Sequence, residues 1–365
     1  AAETPVTLSI WPELGWTMDG ITAVTLLIFG GAMGKSAQFP IHTWLPRSLY
    51  APTPIHALLH AGIINAGGFL LNRLAPLYGL SPTTLHVVFV IGMLTAILGA
   101  TMMLTQNDIK KTLGFSTIGQ MGYMIMECGL GAFSLAVFHL IAHGLFKGTV
   151  FLNCGNVIHK ARQEPSFPPI DRETEESEFS NLTWSTGFFT TLLLPLVILL
   201  VTHGVLRIPL LESQGTVIFL FFIWVTSSQA ILSLTRIRAV ASWKVSAAML
   251  VTLVIVVFTY LFAVESFTHF LYPNPEEVAF YFKAAALPGR LFDSLVMGTT
   301  LLTILSWVYL YAHAHGRTIT IPGWIEAFLV RLYVLFMNRL YLDQLYLNIG
   351  RVVTQVAHRL EKRLS

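Results

Sequence analysis

From Thr84 to Leu104 there is no Asp, Glu, Lys or Arg, and comparable apolar stretches recur along most of the chain. Such a stretch meets the length needed to cross a bilayer as a helix, about 20 residues. In hydrocarbon the backbone must bond within its own segment, so a single apolar run crosses as a helix. Of the 365 residues, 54% are hydrophobic and 11% charged, where soluble chains carry about 25% charged residues. These features predict an all-α polytopic membrane protein. The expected form is a bundle of about nine to eleven transmembrane helices, some of them broken, lining a polar axis. The net charge of +3 is too small to indicate nucleic acid, so the lipid bilayer is the expected environment. Cys128 and Cys154 both fall in apolar segments and suggest neither a disulfide framework nor a zinc site. No cleavable signal pattern is evident.

Spans are expected over about 20–39, 55–78, 84–104, 113–128, 130–157, 183–206, 215–234, 245–264 and 291–312. Pro40, Pro46, Pro52 and Pro54 break the chain between the first two. Gln106-Asn107-Asp108, with Lys110 and Lys111, reads as an interfacial turn. Four regions follow. Residues 1–158 form a core, 159–181 a polar loop with an acidic run, 182–316 a C-terminal bundle, and 317–365 an amphipathic or membrane-associated tail. Loops after odd-numbered spans hold most of the Lys and Arg, among them Arg47, Lys110, Lys111, Lys160 and Arg162. That excess places those loops on the cytoplasmic side.

His139, His143 and Lys147 recur every four residues within an otherwise apolar run. On a helix they share one face, about a turn apart. Titratable groups at membrane depth are costly to bury and point to a proton or ion path. Lys35 lies late in the first span, just before the Pro40 break. A Lys there can snorkel to the interface, or it can act as a desolvated amine that accepts and releases a proton. His60, near the start of the second span, is either a helix-to-helix hydrogen bonder or a relay. Lys35 before it and the ladder after it favour the relay. His139 and His143 have the spacing of zinc ligands. No Cys or carboxylate joins them locally and Lys147 would repel a cation, so no metal is expected. Glu127, near a span end, is expected to face solvent. No phosphate-binding loop, dinucleotide motif or nucleophile elbow is evident, so no cofactor and no catalytic site of the chain's own are expected.

Gly34-Lys-Ser-Ala-Gln-Phe-Pro40, Thr43-Trp-Leu, Ala51-Pro-Thr-Pro54, Ala57-Leu-Leu-His60, Asp108-Ile-Lys-Lys111, Ser116-Thr117, Gln120-Met-Gly-Tyr123 and the ladder through Lys147 follow one another in order. Together they resemble the proton-conducting, antiporter-like subunits of respiratory complex I, Mrp-type cation/proton antiporters and related complexes. The resemblance is dense from Gly30 to Asn156. More weakly, Asn338-Arg-Leu-Tyr-Leu-Asp-Gln-Leu-Tyr346 resembles the end of large complex I subunits. It implies a central hydrophilic axis in which Lys35 is the lysine of a broken helix and pairs with a glutamate on an earlier helix. His60 and His139 or His143 would be bridging residues, and Lys147 the later ladder lysine. The helix with the partnering glutamate is not in this sequence, and the core is partial in that sense. The later Ser-Lys-Asp type motif is also missing.

Within the family, Leu59-His-Ala-Gly-Ile-Ile-Asn-Ala-Gly-Gly68 and Glu127-Cys-Gly-Leu-Gly-Ala-Phe133 look closest to the DabB-type membrane subunits of inorganic-carbon accumulation complexes. That likeness implies a subunit of a bacterial inner (plasma) membrane that couples the proton gradient to CO2 or bicarbonate uptake with a zinc-bearing, DabA-like partner. Two other readings stay open. One is a proton-pumping subunit of a complex I-type quinone oxidoreductase, which would make the assembly a translocase. The other is an Mrp-type Na+/H+ antiporter module.

Overall fold

Gly20–Lys35 carries no charge before its last residue, and helix α1 covers this range despite four glycines, because a backbone in hydrocarbon must bond within its own segment. It stops five residues short of Pro40, earlier than the expected span end. The structure, a computed structural model, describes residues 7–11, 16–50, 52–163, 243–314 and 322–364, with single positions 197, 214, 217 and 224. Two short strands, Thr7–Trp11 (β1) and Trp16–Asp19 (β2), pair antiparallel ahead of α1. They are the one departure from helix-and-turn structure among the described residues.

After α1 a 3-10 segment, Ile41–Tyr50, carries the chain across the proline-rich stretch. The second span, expected as one run over 55–78, is broken. Helix α2 (Thr53–Ala61) gives way at Gly62 to a 3-10 turn, Ile63–Asn65, before α3 (Ala66–Arg73) and a short α4 (Ala75–Gly79). Ser36 ties this break to the end of α1. Its hydroxyl donates to the Ile64 carbonyl and accepts from the Gly67 N–H. Helices α5 (Pro82–Leu104), α6 (Ile109–Gly129) and α7 (Phe133–Gln163) follow. Asp108 caps α6 by accepting from the Lys111 N–H at 2.9 Å, which gives the polar turn a structural role. Helix α7 runs past its expected end at Val157 through Ile-His-Lys-Ala-Arg-Gln, residues compatible with helix wherever packing does not forbid it.

Among the described residues, three helical stretches are long and apolar enough to cross a membrane: Thr53–Arg73, Pro82–Leu104 and Phe133–Asn153. Apart from the single positions 197, 217 and 224, the spans expected over 183–206 and 215–234, and the loop beyond Gln163, lie outside the described residues. Farther on come α8 (Trp243–Leu271), α9 (Pro275–Ala285), α10 (Gly289–Ala314), α11 (Gly323–Met337) and the amphipathic α12 (Leu342–Leu364).

The chain divides into two units. The first comprises residues 1–129, 139–159 and 321–365, and the second 130–138 and 160–320. In the second, Phe133 meets Tyr281 edge-on at 5.3 Å and Ser134 bonds Thr268 at 2.9 Å. In the first, the tail is held by Asp343, which pairs with Arg47 at 2.7 Å and Arg339 at 3.2 Å. Tyr346 also donates to the Pro40 carbonyl at 3.0 Å.

Helices α5 and α6 approach with backbone against backbone. A Cβ on Gly122 would lie 2.3 Å from the Ala96 nitrogen and 2.8 Å from the Gly92 carbonyl oxygen. Small residues at such crossings let membrane helices gain dispersion contact where no hydrophobic force drives them together. Gly122→Ala is therefore expected to destabilise the protein by about 1–3 kcal/mol through overpacking against atoms that cannot yield. Gly30→Ala, with nothing within 4 Å of the added methyl, should leave stability unchanged or slightly raised. Thermal unfolding of the two detergent-purified variants, with membrane abundance alongside, checks the contrast.

A buried file of histidines and lysine

Helices α6 and α7 are joined by the short turn at 130–132, so they run antiparallel. Ser116, Gln120 and Glu127 are spaced by four and seven residues, which puts them on one face of α6. Opposite them stands the ladder face of α7. Lys147 is 2% exposed, and its ammonium donates to the Ser116 hydroxyl at 2.8 Å. His139 is clasped from both sides. Its Nδ1 lies 3.1 and 3.2 Å from the two Glu127 carboxylate oxygens, and its Nε2 lies 2.9 Å from the Gln120 side-chain oxygen.

Two protonation states fit this clasp. An imidazolium donates to both neighbours. A neutral ring donates from Nδ1 to Glu127 and accepts at Nε2 from the Gln120 amide NH2 once that amide is turned over. A group that keeps its hydrogen bonds in either charge state can gain or lose a proton without leaving a buried polar atom stranded.

His143 sits between His139 and Lys147. Its ring centroid is 6.3 Å from that of His139, at 70°. It lies within electrostatic reach of both His139 and Lys147. His60, on α2, lies in turn within reach of Lys147, His143 and His56. The His56 and His60 rings are stacked at 4.6 Å and 7°, and the Phe151 ring of α7 stacks on both. His56, His60 and His143 are buried, and neither ring nitrogen of any of them has a hydrogen-bond partner among the described residues.

The structure thus brings His60, His139, His143 and Lys147 together. Lys35 stands apart from them. It is the last residue of α1, is exposed, and makes no hydrogen bond or ion pair with a described residue. The expectation for Glu127 needs correction. Its side chain is only 15% exposed and pairs with His139, because the α6–α7 turn brings the two together. Gln120 and Ser116 are further polar members that local spacing does not single out. A signal for all three exists in their common helical face, which becomes visible once α6 and α7 are read as an antiparallel pair. Among the described residues no cluster of three His, Cys, Asp or Glu side chains is placed to hold a metal ion.

The family profile described as "NADH:quinone oxidoreductase/Mrp antiporter, TM" matches residues 7–228. A protein named "Probable inorganic carbon transporter subunit DabB1", from Halothiobacillus neapolitanus, is 42% identical over 89% of this chain and 59% of its own length. "NADH-ubiquinone oxidoreductase chain 5" of Metridium senile is 48% identical over 40% of this chain and 24% of its own. "NADH-quinone oxidoreductase subunit L" of Neisseria meningitidis is 46% identical over 42% and 22%. The chain therefore spans 59% or less of the length of these relatives.

Removing the carboxylate from the clasp leaves a buried imidazole N–H without its acceptor. Glu127→Leu is expected to lower stability by about 1–3 kcal/mol. Glu127→Gln, which retains an acceptor oxygen, should cost less. Chemical or thermal unfolding of the purified variants measures the difference.

Proposed function

We propose, from the premise that the chain belongs to the membrane family of NADH:quinone oxidoreductase and Mrp antiporter subunits, that it carries protons along the file Lys35, His60, His139, His143 and Lys147. The observation that carries this reading is the burial of Lys147 within electrostatic reach of both His60 and His143, with His143 in turn within reach of His139. Ionisable groups are placed in a membrane interior at a cost, and a connected set of them is the arrangement proton relays require. Imidazole both donates and accepts, and lysine carries a charge whose loss or gain biases its neighbours. Lys35 would load the file. Its exposed ammonium calls for a carboxylate, from another chain or from residues outside those described.

The work done by the protons is the finer part of the proposal. The relative named as an inorganic carbon transporter subunit aligns with nearly the whole chain, whereas the oxidoreductase subunits align with well under half. That contrast supports coupling of the proton gradient to CO2 or bicarbonate uptake, in a bacterial inner membrane and with a DabA-like, zinc-bearing partner. Affinity purification followed by mass spectrometry tests the partner. An iron-sulfur and flavin arm in its place would instead support the quinone oxidoreductase reading, and a set of antiporter subunits the Mrp reading.

The proton step has its own test at Lys147. Lys147→Ala is expected to reduce proton transport at least about tenfold, equivalent to about 1.4 kcal/mol of barrier, at unchanged membrane abundance. Lys147→Arg should be nearly as damaging, because a guanidinium does not release its proton in a protein. Dye-reported proton uptake by membrane vesicles holding the complex measures both. Full transport by the Arg variant would remove Lys147 from the path.

A further inference from the structure

We infer that His56 is a further relay residue, and that with His60 and Phe151 it forms a ring stack holding one exchangeable proton at the end of the file that faces Lys110. This rests on the proton-carrying function proposed above.

His56 and His60 are one turn apart on α2, so their side chains share a face. Their rings lie parallel, 7° apart in plane and 4.6 Å apart in centroid. Phe151 covers both, at 5.0 Å and 23° from His56 and 4.6 Å and 22° from His60. All three residues are buried, at 1%, 0% and 1% exposure. None of the four ring nitrogens has a hydrogen-bond partner among the described residues. A histidine kept only for packing is satisfied by its surroundings, as nearly all buried polar groups are. Here two adjacent rings have the packing of phenylalanines and nitrogens that packing does not use.

Two imidazolium rings at this separation would repel, so the pair carries at most one positive charge. Phe151 presents its face to both rings within the distance at which a cation is attracted to an aromatic ring. It therefore favours the charge on either ring to a similar degree. Near-equivalence of donor and acceptor is the condition for a proton to pass in either direction. In the transfer an N–H bond of His60 breaks, an N–H bond of His56 forms, and the charge moves with the proton. The stacked rings do not point N–H at nitrogen, so the step proceeds through a ring turn or one intervening water.

The direction follows from the two neighbourhoods. His60 faces Lys147 and His143. His56 has Lys110 within its electrostatic reach and sits in the first turn of α2, after the exposed Pro52. The pair thus extends the file from the ladder toward the face that carries Lys110 and Lys111.

The test replaces the nitrogens and keeps the ring. His56→Phe, in membrane vesicles holding the intact complex, is driven by a valinomycin-imposed potassium potential, and proton uptake is read with a pH-sensitive dye. Uptake at least about tenfold slower at normal abundance is the expected result. Uptake at the wild-type rate overturns the inference. If His56→Phe does not accumulate, His56→Gln, which hydrogen-bonds but does not titrate, decides the matter by the same criterion. His60→Phe separates the two levels of the argument. Loss in His60→Phe with normal transport in His56→Phe rejects the role of His56 alone. Normal transport in both rejects the file itself.

Discussion

A lysine ammonium shut away from water has to be solvated by the protein, and that requirement sets the arrangement around Lys147. The side chain is 2% exposed and reaches the Ser116 hydroxyl across the α6–α7 pair. This bond fixes which face of α6 the ladder meets. With the two helices antiparallel, the same register carries Gln120 and Glu127 up to His139. The backbone contact of α6 with α5 holds the other side, where Gly122 of α6 and Gly99 of α5 let the two backbones meet at distances no Cβ would allow. A hydrophobic force does not hold helices together in lipid. Close backbone packing on one face and charge-assisted bonds on the other can.

The break in the second span serves the same site. Helix α2 ends at Gly62, and the chain restarts as α3 after the turn at Ile63–Asn65. Freed backbone groups at membrane depth are tolerable where protein groups satisfy them. Here the Ile64 carbonyl takes the Ser36 hydroxyl, and that hydroxyl accepts from Gly67. Ser36 is the residue after Lys35. The end of the lysine-bearing helix and the break beside His60 are thus one bonded structure, even though Lys35 itself is exposed and bonds no described residue.

Much of this was legible in the sequence, for physical reasons. Apolar runs with few charges mark helices α5, α8 and α10 whatever they pack against. The i, i+4 spacing of His139, His143 and Lys147 places them on one face without knowledge of a neighbour. Prolines at 40, 46, 52 and 54 announce the interruption that Ile41–Tyr50 realises as a 3-10 segment. Glu127, by contrast, sits at a helix end, where local reading assigns a carboxylate to solvent. Only the short turn after it folds it back onto His139. The same holds for Ser116 and Gln120, ordinary polar residues until α7 is laid against them. The short hairpin Thr7–Trp11/Trp16–Asp19 was likewise hidden, since its register depends on pairing rather than on periodicity.

The pattern of satisfied and unsatisfied groups carries the functional argument a step further. His139 has both nitrogens bonded and Lys147 has its ammonium bonded. Between and beyond them, His143, His60 and His56 have no bonded nitrogen among the described residues. A fully bonded ring is held in place, because turning it would break contacts with no water to replace them. A buried ring with unbonded nitrogens can turn, and it can take a proton at either nitrogen. In the relay proposed above, the bonded groups would keep their places and take or give a proton where they stand, and the unbonded rings would turn to carry it between them.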